Sequence, residues 1–208
     1  LIKLIYNIQK YIQRLLMVDK DTIKLLSDLS FSMFSKNFFG IYHGAISSKL
    51  DQYNFMINTS DAIFDKMDEK SFCTLNMNKQ DYRWNIASIE SHIHSTIYTN
   101  IHEAKYIAFG MPIYTTAYTL LHDKIVFEDF FGKTFFGELS IYNPGDFSTW
   151  YKRNALEITK YLKESEHNLM VIKGVGTYVY DRDVYELVKK IAILENSCRL
   201  LSIKSSFE

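Results

Sequence analysis

The sequence predicts a single mixed α/β layered domain. Three observations carry that reading. Helix-spaced apolar stripes alternate with short strand-like runs. The order is helices, a β meander, a helix, strands, a helix, a β hairpin and a helix, which is the pattern of layered α/β domains. No Pro/Gly/Ser-rich linker divides the 208 residues, which contain only two prolines, Pro112 and Pro144.

Each element follows from local pattern. Residues 1–18, LIKLIYNIQKYIQRLLMV, are apolar but interrupted by Lys3, Lys10 and Arg14. They read as an N-terminal amphipathic helix ahead of a domain over 19–208. Such a helix packs on the body or a partner subunit, or lies on a membrane surface. The segment lacks the unbroken apolar centre and cleavage site of a signal peptide. The chain opens on Leu1 and not Met, which leaves its true N-terminus open.

Residues 20–36 have helical spacing at Ile23, Leu26, Leu29 and Met33, and NFFGIYHG then marks a turn. AISSK at 45–49 and NFMIN at 54–58 flank a polar break, which is hairpin chemistry, and SFCTLNM reads as a third strand. A helix is expected over 86–101, where Ile86, Ile89, Ile93, Ile97 and Ile101 form one stripe. AKYIAFG reads as a buried strand and MPIYTTAYTLL as a helix starting near Pro112. Residues 125–142 are β-rich and aromatic. Residues 148–164 are helical, with Leu156 and Tyr161 among the apolar positions. NLMVIKGVGTYVY gives a strand, a glycine turn and a strand. Val184, Leu187, Val188, Ile191, Leu194, Cys198 and Leu201 line the last helix, which begins near Asp183.

Composition excludes several classes. Lys+Arg and Asp+Glu are equal at 24 each, so nothing pulls the chain toward nucleic acid or anionic membrane. No run of about 18 apolar residues forms a membrane span. Cys73 and Cys198 are far apart and lack metal-type spacing. Two free thiols fit a reducing cytosol, and a cytoplasmic location is expected. The 15 Tyr and 15 Phe read as a ring-filled core.

The stretch SIESHIHSTIY, residues 88–98, tests for a metal site. Residues of a helix turn by about 100° each, so His92 and His94 point away from each other. A strand would bring them together, but the isoleucine period argues for a helix. Glu90 and His94, four apart, share a face. His94 is expected to be a satisfied, half-buried histidine and His92 a surface or interface residue. The remaining histidines show no ligand spacing.

In order along residues 20–203, six short motifs resemble the class II aldolase/adducin family. They are Gly44-Ala45-Ile46-Ser47, Ile57-Asn58-Thr59-Ser60-Asp61, and Ser88-Ile89-Glu90 leading to His94 and Tyr98. The strand AKYIAF with the helix IYTTAYT follows, then Tyr142-Asn143-Pro144-Gly145-Asp146, then Ile172-Lys173-Gly174-Val175 with a last helix carrying Glu195. The resemblance implies a central, mainly antiparallel sheet flanked by helices. It also implies homotetramers with pockets at subunit interfaces.

In that family zinc is held by three histidines and a glutamate acts as acid/base. Carried over by position, the glutamate is Glu90 and the ligand positions are Phe109, Met111 and Lys173. Phe has no lone pair, Lys is normally protonated, and a thioether suits Cu(I) better than Zn²⁺. No metal or other cofactor is therefore expected. Of the family's phosphate-binding positions, Gly44, Ser47, Ser60 and Ser88 match, while Ala45, Asp61 and Ile89 depart from the pattern, and a carboxylate at 61 repels phosphate. A Glu90–Lys173 charge pair replacing the metal is the structural expectation.

The reading is a family member that has lost zinc-dependent sugar-phosphate aldolase activity and serves a binding or structural role. Its expected partners are a second copy of itself and a small phosphorylated ligand. The alternative is an active aldehyde-lyase or epimerase. It would use an atypical metal site involving His43, His94 or His122, or a Lys173-based site.

Overall fold

The computed structural model describes residues 20–207. The expected amphipathic helix over 1–18 lies outside them. The described chain folds into three layers around an eight-stranded sheet of order β3-β2-β1-β4-β8-β7-β6-β5.

Helix α1 covers residues 20–35. A meander follows, formed by β1 (Ala45–Lys49), β2 (Asn54–Asn58) and β3 (Phe72–Asn76), all antiparallel. Asp51 makes the first turn, its carboxylate accepting from the backbone N–H of Tyr53 and Asn54. Helix α2 (Ser91–Asn100) leads into β4 (Tyr106–Gly110), which pairs antiparallel with both β1 and β8 (Gly176–Asp181). Between them lie α3 (Ile113–Leu121), β5 (Lys124–Val126), α4 (Phe130–Phe135), β6 (Glu138–Tyr142), α5 (Phe147–Glu164) and β7 (Leu169–Ile172). The chain ends in α6 (Val184–Lys204). Among the described strands only β6 and β7 pair parallel, so the sheet is mainly antiparallel as expected.

Two cores sandwich the sheet. On one face Leu26 and Met33 of α1 and Leu187, Ile191, Leu194 and Cys198 of α6 pack together, all fully buried. On the other, Ile93 and Ile97 of α2 meet Trp150, Ile158 and Leu162 of α5. Burying one such side chain contributes about 1.5–3 kcal/mol. Asp146 and Asp183 cap α5 and α6, each accepting an N–H of the first turn at 2.8 Å. Cys73 and Cys198 are buried free thiols.

Three expectations need correction. The helix over 86–101 starts only at Ser91, because Tyr82–Asn85 form a 3-10 turn and Ala87 bridges to Thr59. Ile86 and Ile89 are therefore exposed instead of continuing the stripe. The β-rich segment 125–142 contains a helix, α4, whose N-terminus Asp129 caps through Gly132 N–H. Leu156 is 71% exposed and belongs to the solvent side of α5.

One turn bears directly on the site. Gly176 opens β8 with φ 139°. A Cβ there would strike the Gly110 carbonyl and come within 2.9 Å of the Phe109 ring. Glycine is what lets β8 lie tight against the end of β4.

Candidate functional site

A cleft of about 140 Å³ opens where β2, the turn before α2 and the end of β4 converge. Gly44, Ser60, Ser88, Glu90 and Phe109 line it together with Tyr42 and His43. Five of the positions singled out from the sequence thus meet in one hollow. Backbone bonds hold its walls: Ser88 N–H donates to Asn58 O at 2.9 Å, and Ser60 N–H to Ile86 O at 2.9 Å. Gly44 allows the close approach of the preceding loop, since a Cβ there would sit 2.8 Å from the Phe39 ring. Ser60 and its neighbour Asp61 are both exposed.

Ser47 and His94 lie behind the cleft. Both are 0% exposed. Ser47 Oγ is 2.7 Å from His94 Nδ1 and 2.7 Å from the Tyr98 hydroxyl. His94 is thus more deeply buried than expected, and its Nε2 has no hydrogen-bond partner among the described residues. Burial pushes its imidazole pKa down to about 3, so it is neutral. His92 is exposed and packs its ring 4.9 Å from Trp84, as its surface position implies.

Glu90 is the N-cap residue of α2 and does not cap it with its side chain. The side chain instead accepts a hydrogen bond from the Tyr178 hydroxyl. Glu90 is half-buried. Burial raises its pKa above the usual carboxylate range, and the Tyr178 bond offsets only part of that. Burial, together with the neighbouring Glu90 charge, drives the Tyr178 phenol well above its ordinary value.

The expected Glu90–Lys173 pair does not form. Lys173 follows β7, and its ammonium pairs with Asp123 at 2.8 Å. The physical reason is position: Tyr178 projects from β8 between the sheet and Glu90 and takes the carboxylate, while Asp123 stands beside the turn that carries Lys173. Sequence reasoning missed Tyr178. The available signal was its place as the central residue of an apolar strand, but its partner depends on which strand pairs with β4.

The three inherited ligand positions do not suit zinc. Phe109 pairs with Tyr178 in register and stacks on it, ring centroids 4.6 Å apart and planes 27° off parallel. Met111 is a half-buried thioether packed against the same core. Lys173 is committed to Asp123. Nor do His43, His94 and His122 assemble a substitute: His43 lines the cleft, His94 bonds to Ser47, and His122 stacks on Tyr118 at 4.1 Å. Among the described residues, no group of three or more His, Cys, Asp or Glu side chains is placed to hold a metal ion.

Comparison with known proteins gives the same frame. The profile of the Class II Aldolase and Adducin N-terminal domain family matches residues 24–202. The fold is similar to l-fuculose-1-phosphate aldolase from Thermus thermophilus, with TM-score 0.78 and 16% identity over 89% of this chain and 94% of that one. It is also similar to YgbL from Escherichia coli, a putative aldolase/epimerase/decarboxylase, with TM-score 0.73 and 16% identity over 89% and 90%. A sugar-phosphate aldolase from Thermotoga maritima gives TM-score 0.70 and 14% identity over 90% and 96%. At these identities the structures speak for the fold alone. No curated protein sequence matches the chain.

Proposed function

The chain belongs to the class II aldolase and adducin family, and from that premise we propose that it is a binding homologue without zinc-dependent aldolase activity. The observation that carries this is the Glu90–Tyr178 bond with Phe109 stacked on the same ring. The acid/base position is retained, while the places where the family has metal ligands hold a packed ring, a thioether and a paired ammonium. A glutamate without a Lewis acid leaves an enediolate unstabilised by several kcal/mol.

The proposed ligand is a small phosphorylated molecule, met by the Ser60 and Ser88 hydroxyls and by backbone at Gly44, with the Asp61 carboxylate next to Ser60 opposing a phosphate there. At about 140 Å³ the cleft accommodates the phosphate end and little more of a sugar phosphate. Assembly as a homo-oligomer, a tetramer by analogy with the family, is part of the same proposal, as is a cytoplasmic location. No described helix is long and apolar enough to cross a membrane.

The test is a coupled assay for dihydroxyacetone phosphate release from ketose 1-phosphates, run on the full chain with added zinc. Calorimetry with the same compounds accompanies it. Saturable binding without release supports the proposal. Release that Glu90→Gln abolishes contradicts it.

A further inference from the structure

A second hollow, of about 290 Å³, lies on the opposite side of β4, between the end of α1, the start of α3 and the middle of α6. We propose that it binds a small organic oxyanion, a carboxylate or phosphate group, independently of the Glu90 cleft.

The argument starts with Glu195. It is buried at 6% exposure among the mostly apolar buried residues of α6. It reaches the first turn of α3, accepting from Tyr114 N–H at 2.9 Å, Thr115 N–H at 2.8 Å and the Thr115 hydroxyl at 2.8 Å. Its negative charge is thus committed to the positive end of α3, where the first-turn N–H groups lack a partner within the helix. Around this fixed floor stand Lys36 and Arg199. Among the described residues neither makes an ion pair. Arg199 lies over the Tyr114 ring at 5.5 Å. A guanidinium held that way keeps its planar fork of N–H donors for a carboxylate or phosphate.

Asn37 and Asn196 complete the wall with amide donors and acceptors. Among the described residues Lys36 and Arg199 make no ion pair, and the one carboxylate in the wall, Glu195, is already held by α3, so two cations with amides beside them face the concavity, as recognition of an oxyanion requires. The volume fits a molecule the size of a small dicarboxylate or phosphate ester, near the lower end of ligand pockets at roughly 300 Å³.

The experiment is calorimetric titration of the full chain at constant ionic strength with inorganic phosphate and with succinate, using uncharged succinamide as the control. At least one anion should bind saturably at one site per chain, and succinamide should not bind. Arg199→Gln and Lys36→Gln should each weaken that binding by about tenfold or more, the factor expected for one lost charge-assisted hydrogen bond. Ser60→Ala, which removes a hydroxyl from the other cleft, should leave it unchanged. No saturable binding of either anion overturns the proposal. So does binding that both variants retain, or binding that Ser60→Ala weakens, since that ion would sit in the other cleft. Should Arg199→Gln fail to fold, Arg199→Lys takes its place: weaker binding supports the site and unchanged binding contradicts it.

Discussion

The Tyr178 hydroxyl donates to Oε2 of Glu90, joining residues 88 positions apart in the chain. The bond puts a strand residue of β8 against the turn that starts α2. It also offsets part of the rise that burial imposes on the Glu90 pKa.

Glu90 titrates above its ordinary carboxylate value of 4.5 in the folded chain. The folded state therefore holds this proton more tightly than the unfolded state. Stability from that group is fully present below the unfolded pKa and is lost as pH rises through the folded one. Glu90→Gln should gain on the parent protein as pH rises past the ordinary carboxylate range, and the gain should shrink in acid. Tyr178→Phe should do the reverse, leaving the enclosed carboxylate without its donor at a cost of about 1–3 kcal/mol near neutrality. Urea denaturation of the three proteins across pH reads both effects.

His94 has the opposite sign. Its folded pKa is about 3 against an ordinary 6.5, so the unfolded chain binds the proton first. Stability is fully present above pH 6.5 and is lost progressively as pH falls toward 3. His94→Gln, which can still hydrogen-bond Ser47, should show a flatter acid limb in the same denaturation series. An unchanged limb would mean that another group governs acid unfolding.

Lys173 should prove dispensable for the cleft. Its partner Asp123 is exposed, with 85% of its side-chain surface open, and solvent screens such pairs. Lys173→Ala should keep the melting temperature and the ligand binding of the parent protein, and borohydride with ketose phosphates should trap no adduct on either. An adduct present in the parent protein and absent from Lys173→Ala would restore the Schiff-base alternative.

Much of this architecture was legible in the chain. The β1–β2 hairpin, the β7–β8 hairpin and the α6 stripe follow from short-range pattern, and each has the expected bounds or nearly so. The failures share a cause. Aromatic residues favour strands locally, so Phe130–Phe135 reads as β although Asp129 caps it as a helix. Ile86 and Ile89 fit the period of α2, but pairing of Ala87 with Thr59 holds that segment out of the helix. Of the positions singled out from the sequence, Gly44, Ser60, Ser88, Glu90 and Phe109 meet in one cleft, while Ser47, Met111 and Lys173 do not line it. The partners were not legible: Tyr178 reaches Glu90, and Asp123 reaches Lys173, through strand pairing and loop placement that no local spacing encodes.

The most direct test of the central claim is the zinc content of the full chain, measured by elemental analysis after equilibration with zinc and removal of the excess. Phe109 stacked on Tyr178 and Lys173 paired with Asp123 predict far less than one zinc per chain, with no difference in Glu90→Gln. One zinc per chain, lost on Glu90→Gln or His94→Gln, would contradict the account.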